Sequence, residues 1–192
     1  MTSVPFLVKG LLAILDGLKI PYMVGGSFAS SAWGMPRQTQ DLDLAIYLSR
    51  EQGEKLLDAV EDEFMVSRSD IEETVRSDEP FRAFQLIHFE ETFKIDIFVL
   101  SHNEYSDASF ARRVQYPLFE DYTVFFASPE DTIITKLRWF LLGNKVSDKQ
   151  WNDIVQVLEV QAGQLDEQYL TKWATHFHVL DLLREAQSQT VV

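Results

Sequence analysis

The sequence contains no cysteine. That excludes disulfides and thiolate metal sites, and it fits a cytoplasmic protein. Positive charge is scarce as well: 17 lysines and arginines face 30 aspartates and glutamates, for a net charge of −13. Such a surface repels a phosphate backbone, so extended nucleic-acid binding is disfavoured. A single nucleotide held in a local pocket stays open, because bound cations reverse the sign there. No apolar run approaches the roughly 20 residues that cross a bilayer, so no membrane partner is expected. Lys9 interrupts the first apolar stretch and no small-residue cleavage site follows it, so this stretch does not read as a signal peptide. The four histidines lack zinc spacing, and no Gly-x-Ser-x-Gly elbow supports serine hydrolysis.

What is present is an ordinary globular composition, 46% hydrophobic and 24% charged over 192 residues. That is enough for one substantial core, or for a catalytic domain with a small helical one. Leu7, Leu11, Ile14, Leu15 and Leu18 repeat at helical spacing, which predicts a helix over the first 20 residues. A short apolar strand at 22–24 then runs into Gly25-Gly26. Residues 27–33 suit a helix, and Gly34 to Pro36 break it. Residues 41–48 alternate, with Leu42, Leu44, Ile46 and Leu48 on one face and Asp41, Asp43, Ala45 and Tyr47 on the other.

A helix is predicted over 51–64, and a charged stretch at 67–80 reads as helix plus loop. Strands at 81–89 and 93–100 are joined by the turn Glu90-Glu91-Thr92. A short helix at 105–113 and strands at 114–118 and 122–126 follow. Ser128-Pro129-Glu130-Asp131 combines a cap, a first-turn proline and two acids, opening a helix that Gly143-Asn144 stops. Ser147 and Gln150 have capping-box spacing, and one or two helices follow Asp166. The four tryptophans fall in these helices and read as core, and His88 reads as structural. The expected division is a mixed α/β domain at 1–127 and a helical subdomain at 128–192.

Asp41 and Asp43, two apart in a strand, project from the same face. Their carboxylates can converge on a pair of cations about 3.5–4 Å apart. Oxygen ligands of this kind suit magnesium or manganese. Two unpaired carboxylates on one face repel each other, so something cationic is expected beside them. Asp96 is an acid in the otherwise apolar strand Lys94-Ile-Asp-Ile-Phe98. If that strand lies beside 41–48, Asp96 is a third ligand and an acceptor for a hydroxyl proton. Gly25-Gly26-Ser27, between a strand and a helix, offers backbone N–H groups to an anion, and its glycines allow close approach. Neither a Walker nor a Rossmann pattern is present. A lone Asp-x-Asp is compatible with a solvated sheet face, and a lone Gly-Gly-Ser with a plain turn. Their succession is more specific.

The stretch 24–44, Val-Gly-Gly-Ser-Phe-Ala-Ser-Ser-Ala-Trp-Gly-Met-Pro-Arg-Gln-Thr-Gln-Asp-Leu-Asp-Leu, resembles the polymerase-β-like nucleotidyltransferases. It is most similar to small bacterial members, a group that includes nucleotidyltransferase toxins of abortive-infection-type toxin–antitoxin systems. Aminoglycoside and lincosamide nucleotidyltransferases are more distant relatives. The resemblance implies an α+β fold, a mixed central β-sheet flanked by helices and followed by a C-terminal helical bundle. It implies that Gly25, Gly26 and Ser27 hold a nucleoside triphosphate, and that Asp41, Asp43 and Asp96 ligate Mg2+ or Mn2+. Arg37 and Lys136 would counter triphosphate charge, and Thr39 would stabilise the turn. More weakly, it extends to Lys136 on a proline-capped helix and to Asp153, with Gln150 where many relatives carry another Asp. The reaction implied moves a nucleoside monophosphate to a hydroxyl of a small molecule, protein or RNA. The alternatives are a catalytically inactive nucleotide-binding or protein-interaction module, such as one half of a toxin–antitoxin pair, and a metal-dependent phosphodiesterase.

Overall fold

The alternating residues around 41–48 lie in the middle of a seven-stranded sheet in the computed structural model, which describes residues 4–39, 41–77, 79, 81–91, 93–120 and 122–190. Gln40 of the motif, Pro80 of the charged stretch, Thr92 of the hairpin turn and residues 1–3 of the first helix lie outside the described residues. The described elements run α1 (Val4–Gly17), β1 (Tyr22–Val24), α2 (Gly26–Trp33), β2 (Asp41–Ile46), α3 (Arg50–Val60), β3 (Phe64–Met65), α4 (Arg68–Arg76), β4 (Ala83–His88) and β5 (Lys94–Val99). They continue with α5 (Glu104–Ala111), β6 (Val114–Phe119), β7 (Tyr122–Phe126), α6 (Pro129–Leu142), α7 (Asp148–Val160), α8 (Glu167–His176) and α9 (Leu180–Gln189).

The strand order is β3-β4-β5-β2-β1-β7-β6. The sheet is mixed: β2 pairs with β5 and β1 with β7 in parallel, and the other neighbours are antiparallel. The fold is therefore α+β with C-terminal helices, as the resemblance implied. β1 is buried along its whole length, which suits its place between two other strands. In β2 and β5 burial alternates residue by residue. Leu42, Leu44, Ile46, Ile95, Ile97 and Val99 enter the core, and the polar residues between them share the opposite face.

The main core joins α1, one face of the sheet's central strands and the C-terminal helices, and a smaller cluster around Met23, Phe110 and Ala127 is separate from it. The division expected at Ala127 falls between β7 and α6, and Trp33 reaches across to it, its indole N–H donating to the Ala127 carbonyl at 2.7 Å. The helix predicted over 51–64 is shorter than expected: α3 stops at Val60, and buried Phe64 instead pairs with His88 at the edge of the sheet. His88 is structural, its ring Nδ1 accepting from the Glu90 and Glu91 N–H groups. Ser147 caps α7 through the Gln150 N–H, but the reciprocal side-chain bond is not made. Of the tryptophans, Trp33 and Trp173 are buried, whereas Trp139 and Trp151 are half-buried. Trp139 lines a cleft rather than the core.

Candidate active site

Parallel pairing sets Asp43 directly opposite Asp96, and Asp41 opposite Lys94. Neighbouring strands lie about 4.8 Å apart. All four side chains share the sheet face that the core leaves open. Burial pushes the Asp43 carboxyl up to about 6, and the charges of Asp96 and then Asp41 add to the effect. The strand of Asp96 does lie beside β2, the condition on which its role as a third ligand depends.

The glycine turn closes onto the same carboxylate. Gly25 N–H donates to the Asp43 carbonyl at 2.9 Å, tying the turn to β2. Gly26 has φ +53, and a Cβ there would sit 1.7 Å from Asp43 Oδ2. Only glycine combines this conformation with this approach. The Ser27 backbone N–H, beside the Asp43 carboxyl, pulls against its raised pKa. The first turn of α2 therefore faces a carboxylate, as helix N-termini favour.

Arg37 and Lys136 meet on one acceptor. Arg37 makes a forked contact with Asp153, Nε to Oδ1 and Nη2 to Oδ2, both at 2.9 Å. Lys136 Nζ donates to Asp153 Oδ2 at 2.7 Å, and Ser30 Oγ donates to the same oxygen at 3.1 Å. Arg37 also donates to Ser27 Oγ at 2.6 Å, linking the cluster to the turn. Burial works to raise the Asp153 pKa, but Arg37 and Lys136 outweigh it and hold the carboxyl below its usual range. Two cations on one carboxylate leave a net positive charge beside Ser27. Thr39 Oγ1 donates to the Asp41 carbonyl at 3.1 Å, consistent with a role in the turn.

These groups open into a cleft of about 740 Å³ between the sheet face and α5, α6 and α7. Gly25, Gly26, Ser27, Arg37, Asp41, Asp43, Lys136 and Asp153 line it. At its other end Arg138 stacks on Phe177 and Phe81, 3.8 and 4.3 Å from the ring centres, and Trp139 lies 4.5 Å from Phe81. Asp96 is not among the lining residues. It is turned to Lys94, whose Nζ lies 2.7 Å from Asp96 Oδ2. Lys94 is the cation that two like charges on one face require. Its signal was present, because Lys94 stands two residues before Asp96 and so on the same face. The Asp153 bridge and the Arg138 stack were also missed, since both depend on contacts between distant segments.

Among the described residues no three acidic or histidine side chains are drawn together as a ready-made metal cage. The donor set still fits a hard divalent cation: Asp41, Asp43 and Asp96, neighbours on one face of two paired strands, are oxygen ligands only.

Comparisons with known proteins bear on the fold and on the family. The chain aligns over 98% of its length with 98% of the antibiotic-resistance factor ANT(2″)-Ia in solution, at 16% identity and TM-score 0.62. It aligns over 83% with 98% of the lincomycin-bound lincosamide adenylyltransferase LnuA, at 14% identity and TM-score 0.51. Over 96% it aligns with 92% of an antigenic nucleotidyltransferase-like protein from Paracoccidioides brasiliensis, at 18% identity and TM-score 0.52. At such identities the likeness concerns the fold. No curated protein matches. Residues 11–189 match the family described as the nucleotidyl transferase AbiEii toxin of type IV toxin–antitoxin systems, and the chain belongs to that family.

Proposed function

We propose that this AbiEii-family protein transfers a nucleoside monophosphate from a nucleoside triphosphate to a hydroxyl acceptor. The observation that carries this reading is the contact of the Gly26 backbone with Asp43, on the rung shared with Asp96. It puts an anion-binding turn and metal-type ligands at one spot. The Gly25 to Ser27 turn would hold the triphosphate, with Arg37 and Lys136 offsetting its charge. Asp41, Asp43 and Asp96 would hold Mg2+ or Mn2+. When bound, such ions stabilise charge on the entering and leaving oxygens of an in-line displacement.

Asp96, once released from Lys94, would take the proton of the acceptor hydroxyl. The acceptor oxygen then bonds to the α-phosphorus as the bond to the β-phosphate oxygen breaks, and pyrophosphate leaves. The far end of the cleft, from Phe81 to Trp139, gives room for the base or the acceptor. Membership of a toxin–antitoxin family implies an antitoxin partner. The charge of −13 favours a compact acceptor, or one presented by a basic protein, over a long nucleic-acid duplex.

Incubation with each labelled nucleoside triphosphate and magnesium, alone and with cell extract, tests the reading. Label should pass to an acceptor, and Asp41→Ala and Asp43→Ala should abolish the transfer. Equal transfer by these variants excludes the site.

A further inference from the structure

We infer that Lys94 is a tethered counter-ion that occupies the acidic rungs before any metal does, so that divalent ions load with the nucleotide rather than ahead of it. The inference rests on the proposed transferase reading and adds a residue which that reading does not need. Lys94 stands opposite Asp41, two rungs from the Asp43–Asp96 pair and so on the same face of the sheet. Its ammonium bonds Asp96 at 2.7 Å, while Asp41 and Asp43 attract it as well. All three acids therefore act on the Lys94 charge, with Lys136 acting more weakly on Asp43 and Arg37 on Asp41 from the Asp153 cluster. With its side chain about one-third exposed, Lys94 has a path to solvent, whereas Asp96 is largely enclosed at 13%.

A lysine ammonium is a compact point charge on a flexible stem, able to hold a carboxylate and to swing away from it. It differs from a metal ion in what it leaves behind. Against three ionised carboxylates, one ammonium leaves two negative charges where its absence would leave three. A free divalent ion must then displace Lys94 from Asp96 and come to rest near a like charge, which weakens its binding. A divalent ion already on a triphosphate brings negative charge with it, and that charge gives the ammonium a new partner. Lys94 thus makes the site prefer the metal–nucleotide complex over the bare ion, and it holds Asp96 along β5 until that complex arrives. It is a positioning residue, acting through Asp96.

Manganese binding to the full chain without nucleotide, followed by the paramagnetic signal of free Mn2+, is the direct test. Wild type should bind weakly. Lys94→Met should bind about tenfold or more tightly, as expected from removing one charge a few ångströms from the ion. Lys94→Arg, which keeps the charge, should stay near wild type. The gain in Lys94→Met should disappear when Asp96→Asn is added. If Lys94→Met fails to fold by circular dichroism, Lys94→Gln serves in its place. A merely structural lysine would change the melting temperature without changing Mn2+ affinity, and unchanged or weaker affinity in both neutral variants overturns the inference. If Mn2+ still binds with a nucleoside triphosphate in that case, the transferase reading survives. If no variant binds Mn2+ even with nucleotide, both fall together.

Discussion

Asp43 and Asp96 face each other across one rung of two parallel strands, and the Asp43 carboxyl is pushed up to about 6 by burial and by that neighbour. Asp131, buried at the start of α6, is also pushed up to about 6, mainly by burial, although it accepts from the Tyr169 hydroxyl at 2.8 Å. An acid whose folded pKa is raised binds its proton more tightly when folded. The stability contributed by each of these groups should therefore rise as pH falls from about 6 to about 4, and stay flat above that window. At most about 3 kcal/mol is at stake per group, from roughly two pKa units at 1.36 kcal/mol each. Comparing melting temperature against pH for wild type and Asp43→Asn, without divalent ions, isolates the Asp43 share. The variant should show the shallower rise below pH 6. Parallel curves would contradict the assignment.

Gly26→Ala should damage the site more than the fold. The new Cβ would meet the Asp43 carboxylate at 1.7 Å, and a φ of +53 strains any side chain. Displacing Asp43 by about an ångström should lower the transfer rate on the order of 100-fold. The strain should cost about 1–3 kcal/mol in urea denaturation. Retained activity would show that the carboxylate is free to relocate.

Removing Asp153 should destabilise the protein by about 3–5 kcal/mol, because it strands a buried ammonium. Lys136 and Asp153 are both nearly fully enclosed. Asp153→Ala should melt well below wild type, and adding Lys136→Met should recover much of the loss. Both changes should weaken nucleotide binding. If the double variant is no more stable than the single one, the pair is not the source of the cost.

Much of this was legible in the residues. The period-two pattern at 41–48 placed Asp41 and Asp43 on one face, and the apolar neighbours of Asp96 marked a second strand of the same kind. The strand pairing that joined them had to be supposed, since register between distant segments leaves no local trace. The ionic cluster was harder to read. Arg37 and Asp153 lie 116 residues apart, and only packing of α7 against α2 brings them together. Phe64 was misplaced because its apolar character suits a helix end as well as an edge strand, and the choice was made by pairing with β4. Trp139 was read as core because a helical tryptophan in sequence gives no sign of a cleft beside it.

Trp139 supplies a probe. Trp139 is half-buried and lines the cleft near Phe81. Adding a nucleoside triphosphate with magnesium should change the tryptophan emission, and Trp139→Phe should remove most of the change. A change of equal size in the variant would place the ligand elsewhere.

Diffraction at the manganese edge, from crystals soaked with Mn2+ and a non-hydrolysable nucleoside triphosphate, tests the shared metal–triphosphate site most directly. Anomalous peaks should lie within bonding distance of Asp41, Asp43 and Asp96, with the phosphates against Gly25, Gly26 and Ser27. Manganese bound away from these acids, or phosphates held at a different part of the cleft, would contradict it.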